Sequence, residues 1–146
     1  MKFVKAAVIG VLLTAGAAFA EGDRTDPNAI ARSDLMKVIG KNTGILGGMA
    51  KGETAYDAAA AEGAKAALIE AAAKIEETFK DQGAADPASE AKPEIWANWD
   101  EFLTDAKALG DAAGAMDIAS AETIGAGMGA LGGTCKDCHT EFRVMK

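Results

Sequence analysis

Apolar residues recur at alternating steps of four and three along the last part of the chain. The series begins at Ile124 and ends at Met145. This spacing places its members on one side of an α-helix, and such a side packs against neighbouring helices. We therefore expect a helix that opens at Ser120, has Glu122 in its first turn and reaches the C-terminus. The members of the series are Ile124, Met128, Leu131, Cys135, Cys138, Phe142 and Met145.

Three further helices are predicted over residues 26–48, 54–80 and 92–116. Asp26 suits an N-cap and Pro27 suits the first helical position. The connections are short, so the pattern predicts an all-α fold, an antiparallel up-down-up-down four-helix bundle. The predicted buried faces comprise Ile30, Leu35, Val38, Ile39, Ile45 and Leu46 in the first helix, Leu68, Ala72, Ile75 and Phe79 in the second, and Ile95, Trp99, Phe102, Ala106, Leu109, Ala113 and Met116 in the third.

The C-terminal helix also carries the run Cys135-Lys136-Asp137-Cys138-His139. This run holds both cysteines of the chain and its single histidine. A C-x-x-C-H spacing is the attachment signature for c-type haem. The two thiols form thioethers to the haem vinyl groups, and the histidine that follows can ligate the iron. The sequence therefore predicts one covalently attached haem c per chain, held by Cys135 and Cys138 with His139 as the proximal axial ligand.

Other uses of the same motif fit the chain less well. A thioredoxin-type redox pair needs a βαβ context, and the sequence shows no strand pattern. A structural zinc site needs four ligands, whereas the chain offers only three Cys and His residues. A structural disulfide at this spacing on a helix would be strained.

The N-terminus resembles a secretory leader. Lys2 and Lys5 precede an apolar stretch over residues 6–18, and Ala18-Phe19-Ala20 is an A-x-A cleavage site. We expect a cleaved signal peptide over 1–20 and one mature domain over 21–146. The alternative, a transmembrane anchor, would need about 20 apolar residues. A Sec-type signal together with C-x-x-C-H indicates a bacterial periplasm.

The chain is acidic. Its formal net charge is −7, and loss of Lys2 and Lys5 with the leader makes it −9. Such a chain is a poor candidate for binding nucleic acid or anionic lipid, and we expect no stable membrane insertion. A basic redox partner protein remains compatible with this charge.

Three segments of the mature chain resemble the class II cytochromes c, the cytochrome c′ family. Cys138-His139-Thr140-Glu141-Phe142-Arg143 resembles the family's C-H-x-x-[YF]-R ending. Pro93-Glu94-Ile95-Trp96 is similar to the start of its third helix, and Lys51-Gly52-Glu53 to the start of its second. The resemblance covers the whole mature chain and implies a four-helix bundle around one haem.

The resemblance also concerns the other side of the iron. Arg32-x-x-x-Met36 resembles a family pattern in which an arginine near a haem propionate precedes the residue over the iron by one turn. In the low-spin branch that residue is a ligating methionine, and in high-spin members the iron is five-coordinate. The first helix looks closer to the low-spin branch, which implies Met36 as the distal ligand. The chain has no second histidine, so the sixth position is methionine or none.

These assignments predict a mono-haem electron-transfer protein rather than an enzyme. Arg32 and Arg143 are expected to offset the propionate charges, and Phe142 to pack near His139. The alternative is a high-spin cytochrome c′ whose open distal side binds nitric oxide or carbon monoxide. The sequence is compatible with either a monomer or a homodimer.

Overall fold

A computed structural model describes residues 23–145, and the predicted signal peptide lies outside them. Within this range the chain is helical, with a single isolated antiparallel bridge between Ala91 and Arg143. The helices are α1 (Pro27–Ala50), α2 (Ala58–Ala73), α3 (Ile75–Phe79), α4 (Glu94–Ala97), α5 (Trp99–Ala115) and α6 (Ala121–Phe142).

Three helices begin at side-chain caps. The carboxylate of Asp26 accepts the Ala29 N–H at the start of α1, and the carboxylate of Asp57 accepts the Ala60 N–H at the start of α2. At α6, Ser120 and Thr123 exchange hydrogen bonds in a capping box. Each cap satisfies backbone N–H groups that have no partner within the helix. The predicted starts at residues 26 and 120 are therefore confirmed.

The four long helices close into a ring. Helix α1 packs on α2 and α6, and α5 packs on the same two helices from the other side. The buried apolar residues of all four helices form one continuous core. This is the predicted four-helix bundle. Among residues 23–145, no helix has the length and apolarity needed to cross a membrane.

Two of the predicted helices are interrupted. The second begins at residue 58 rather than 54 and breaks at Lys74, whose N–H is shared between the carbonyls of Glu70 and Ala71. The third breaks at Asn98, which has φ −123° and ψ 49°. The break at Asn98 separates the turn that carries Trp96 from α5. Apolar spacing runs through both breaks, so it could not locate them.

Three residues predicted on buried faces are exposed. Ile30 is 40% exposed and Val38 is 45% exposed, because α1 buries Ile39 and Leu46 against the core and turns the other two outward. Met145 is 74% exposed because α6 ends at residue 142 rather than at the C-terminus.

Residues 80–93, here called the strap, cross from α3 to α4 and are tied down at both ends. The Asp86 carboxylate accepts the N–H groups of Thr25 and Asp26, and the Asp26 carboxylate accepts that of Ala84. At the other end, the Lys92 N–H donates to the carbonyl of Phe142. The strap therefore joins the beginning of α1 to the end of α6.

Two aspartates that fasten the strap to α1, Asp26 and Asp86, make stability sensitive to acid. Hydrogen bonds from the Ala29 and Ala84 amides lower the pKa of Asp26, and those from Asp26, Thr25 and Ala88 lower the pKa of Asp86. These two carboxylates are therefore protonated at a higher pH in the unfolded chain than in the folded protein. The stabilisation is complete above an unfolded aspartate pKa of about 4 and is lost as the pH drops through the lower folded values.

We expect Asp86→Asn to lower the free energy of unfolding at pH 7 and to weaken its dependence on pH below about 4. Urea unfolding at pH 7 and pH 3 measures both effects. Glu62→Gln is the matched control, since Glu62 is exposed on α2. An equal loss at both pH values would contradict the assignment of the acid dependence to Asp86.

Candidate haem site

A cavity of about 450 Å³ lies between α1, α6 and the strap. All seven residues predicted from the sequence as haem or iron contacts line it, although they come from two ends of the chain. Phe79, Ile95 and Phe102 line it as well, from α3, α4 and α5. The predicted residues are Arg32, Met36, Cys135, Cys138, His139, Phe142 and Arg143.

Helix α6 supplies one wall with Cys135, Cys138 and His139. Their spacing puts all three side chains on one side of the helix, and each is partly buried. Both thiols are free. Burial raises the pKa of Cys135, and burial raises that of Cys138 to about 12. These thiols are protonated at neutral pH, unlike the thiolates of reactive redox pairs.

His139 is the only imidazole available to this wall. Burial lowers the pKa of His139, and the nearby positive charge of Arg143 lowers it further. Both effects favour the neutral imidazole, which is the form that ligates a metal. Among residues 23–145, no group of three or more His, Cys, Asp or Glu side chains is arranged to hold a metal ion.

Helix α1 supplies a second wall with Met36 and Gly40. Met36 is the only methionine among residues 23–145 that lines the cavity. Met49 and Met116 are buried in the core, and Met128 packs against it. Met36 is thus the one thioether placed to meet a group bound to His139.

Gly40 leaves room on that wall one turn after Met36. A Cβ atom built at Gly40 would meet no atom within 4 Å. None of the α6 glycines lines the cavity. At Gly127, a Cβ would come within 2.9 Å of Met116 Cγ, so this glycine allows α6 to pack closely against the residue that follows α5.

Arg32 is almost fully buried at the rim of the cavity, with 5% of its surface exposed. Its Nη1 donates to the carbonyls of Asp81 and Gln82 in the strap, at 2.9 and 3.2 Å. Its Cζ lies 5.2 Å from the ring centroid of Trp96 and 5.8 Å from that of Phe79. Burial lowers the pKa of Arg32, and its buried Nε has no hydrogen-bond partner among residues 23–145. This cation is fixed by the strap and two aromatic rings.

Arg143 is paired across the cavity rim with Glu90 of the strap. Its Nε and Nη2 lie 2.8 and 2.7 Å from Glu90 Oε2. The pair adds to the bridge between Ala91 and Arg143, so it fastens the strap to the end of α6.

Several residues of the cavity had no signal in the sequence. Ser89, Glu90 and Ala91 reach it from the connection between the second and third predicted helices, and Phe102 reaches it from α5. The Glu90–Arg143 contact joins residues 53 positions apart. Helical periodicity marked Phe102 as a core residue, and nothing in that pattern distinguishes a core residue from a cavity residue.

Known proteins resemble this chain in sequence and in fold. The family model for Cytochrome C′ matches residues 28–143. Cytochrome c-556 of Agrobacterium tumefaciens (strain apple 185) is 38% identical over 119 residues, which cover 80% of this chain and 94% of that protein. Cytochrome c′ of Pararhodospirillum photometricum is 36% identical over 121 residues, covering 77% of this chain and 92% of that protein. An NMR-validated structural model of oxidized R. palustris cytochrome c556 has a TM-score of 0.73 at 30% identity and covers 82% of this chain and 98% of that one.

Proposed function

Because the chain belongs to the cytochrome c′ family of class II cytochromes c and binds covalently attached haem c, we propose that it is an electron carrier of the bacterial periplasm. In this proposal Cys135 and Cys138 hold the haem, and His139 and Met36 are the axial ligands. The observation that carries the proposal is that Met36 and His139, on different helices, line one cavity.

The cavity fits such a group. Its volume of about 450 Å³ suits a flat cofactor, and its walls bring together two neutral thiols, an imidazole and a thioether. When bound, haem supplies one-electron exchange between ferric and ferrous iron. Ligation by a histidine and a methionine would raise the reduction potential of the haem iron.

The surrounding residues hold this arrangement in place. The cation of Arg32 is available to a propionate at the rim, where the strap and two rings restrict its movement. The apolar ring of Phe142 is buried beside His139 and limits the access of water. A rigid, largely apolar surrounding keeps structural change small when one electron is exchanged.

The histidine and the carboxylate that line the cavity among residues 23–145 already have other roles in this proposal. His139 is the only histidine of the chain and serves as an iron ligand in this proposal. The carboxylate that lines the cavity, Glu90, is paired with Arg143. We therefore propose a carrier of electrons rather than a catalyst of oxygen or peroxide chemistry.

Met36→Leu tests the proposed ligation of the iron by Met36, because leucine has a similar volume to methionine but no sulfur. We expect the ferric protein to change from a low-spin to a high-spin spectrum, the reduction potential to fall, and carbon monoxide to bind the ferrous protein without displacing a ligand. Optical and resonance Raman spectra and a redox titration measure these changes.

Met128→Leu is the matched control, because Met128 is a partly buried methionine outside the cavity. It should keep the low-spin spectrum. A five-coordinate, high-spin spectrum of the unaltered ferric protein would instead support the alternative, a cytochrome c′ that binds nitric oxide or carbon monoxide.

A further inference from the structure

A second cavity of about 480 Å³ opens on the outer face of the bundle, where the end of α2 meets α3, α4 and the start of α5. It shares no lining residue with the haem cavity. Its lining combines two tryptophans with two carboxylates, and it is called the tryptophan groove below. It is lined by Ala73, Glu76, Glu77, Lys80, Trp96 and Trp99.

The groove lies in an acidic part of the chain. Residues 70–101 contain nine acidic residues against three lysines. One of these lysines, Lys80, is already paired with Glu77 at 2.6 Å. Glu76 takes part in none of the ion pairs of residues 23–145. The groove therefore presents negative charge beside exposed aromatic surface.

A series of ring contacts leads from the groove to the haem cavity. The ring centroids of Trp99 and Phe102 are 5.5 Å apart, and those of Phe102 and Phe142 are 5.4 Å apart. Phe102 and Phe142 both line the haem cavity. Contacting aromatic rings thus connect the surface at Trp99 to the lining of the haem cavity, and such a path favours electron tunnelling.

We propose that the tryptophan groove is the docking site for a positively charged one-electron redox protein. The inference rests on the proposed electron-carrier function. Opposite charge steers such a partner to the surface, and tryptophans are the side chains that most often anchor an interface. One electron leaves the partner, which is oxidised, and reduces the iron from ferric to ferrous; no bond or proton is transferred.

The lining of the haem cavity has a different balance of charge. Arg24, Arg32, Lys37 and Arg143 line it beside a single carboxylate, that of Glu90, so the lining is net positive and attracts a cationic protein less than the groove does. A basic partner is therefore expected at the groove, and an anionic reagent at the haem cavity.

The test uses mitochondrial cytochrome c as the basic redox protein and ferricyanide as the anionic oxidant, both with the haem-loaded chain in stopped flow. We expect Glu76→Lys to lower the second-order rate with the basic protein about tenfold at low salt. Glu62→Lys is the matched control, since it makes the same change in net charge three turns before the end of α2. It should lower the rate less than twofold, and 1 M salt should remove the difference.

Substitution of Trp99, the ring of this series that lies at the groove, tests whether the ring contacts serve electron exchange. Trp99→Leu should slow exchange with the basic protein even when complex formation is saturated, whereas Trp99→Phe should keep most of the rate. Oxidation by ferricyanide should be unaffected by either change.

Two outcomes are distinguishable. The groove would be overturned as the docking site if Glu76→Lys and Glu62→Lys changed the second-order rate with the basic protein equally. It would also be overturned if Lys37→Glu changed that rate more than either of them. Failure of the unaltered protein to exchange electrons with either reagent would instead overturn the electron-carrier function.

Discussion

We expect a chain with Cys135→Ser and Cys138→Ser to carry no covalently attached haem. A thioether requires the sulfur of cysteine, and serine is close to cysteine in size but cannot form it. The chain would then depend on axial ligation alone to keep its haem, and its stability would fall because a bound cofactor stabilises only the folded state. Intact mass after denaturation, together with haem staining of a denaturing gel, measures the attachment.

The single variants refine this prediction. Cys135→Ser and Cys138→Ser, made separately, should each retain haem through the remaining thioether. Lys136→Ala is the control within the motif, because Lys136 is exposed between the two cysteines and should leave attachment complete. Covalent haem on the double serine variant would show that the attachment lies elsewhere in the chain.

The helices of this protein could be predicted because their signals are local. Asp26 and Ser120 each lie within three residues of the amide that they cap. The burial of Ile124, Leu131 and Phe142 follows from their spacing on α6. Such information is contained in a few neighbouring residues.

The breaks and the strap could not be predicted because they depend on distant partners. The indole N–H of Trp96 in α4 donates to the carbonyl of Phe79 at the end of α3, at 2.8 Å. Asp86 accepts amides from residues about 60 positions earlier. These contacts exist only once the bundle has formed, so the apolar periodicity of single helices does not contain them.

The candidate site shows the same division. The sequence identified residues on α1 and α6 that the fold brings to one cavity, because the motif and the family pattern mark them. It did not show that Arg32 donates to the carbonyls of Asp81 and Gln82. Nor did it show that Phe102 lies between the core and the cavity. Each of the two patterns, on α1 and on α6, is local in sequence, whereas the contacts that support the site are not.

Phe102 belongs both to the hydrophobic core and to the lining of the haem cavity. We expect Phe102→Ala to have the largest effect on the stability of the fold. The side chain is 2% exposed and contacts the rings of Phe79, Trp99 and Phe142. Its removal should lower the free energy of unfolding by about 3–5 kcal/mol. For a domain of this size the melting temperature should fall by roughly 10–20 °C. Urea and thermal unfolding of the haem-loaded protein measure both quantities.

Phe102→Leu separates the contribution of this ring to core packing from its contribution to electron exchange. It keeps most of the apolar volume, so we expect a loss of only about 1–2 kcal/mol, the usual range for a change of shape in a packed core. Val38→Ala is the surface control, because Val38 is 45% exposed and should change stability by less than about 0.5 kcal/mol. Since Phe102→Leu should fold yet interrupt the ring contacts between Trp99 and Phe142, it should also slow electron exchange with a basic redox protein. A folded Phe102→Leu protein with an unchanged exchange rate would show that Phe102 serves packing alone.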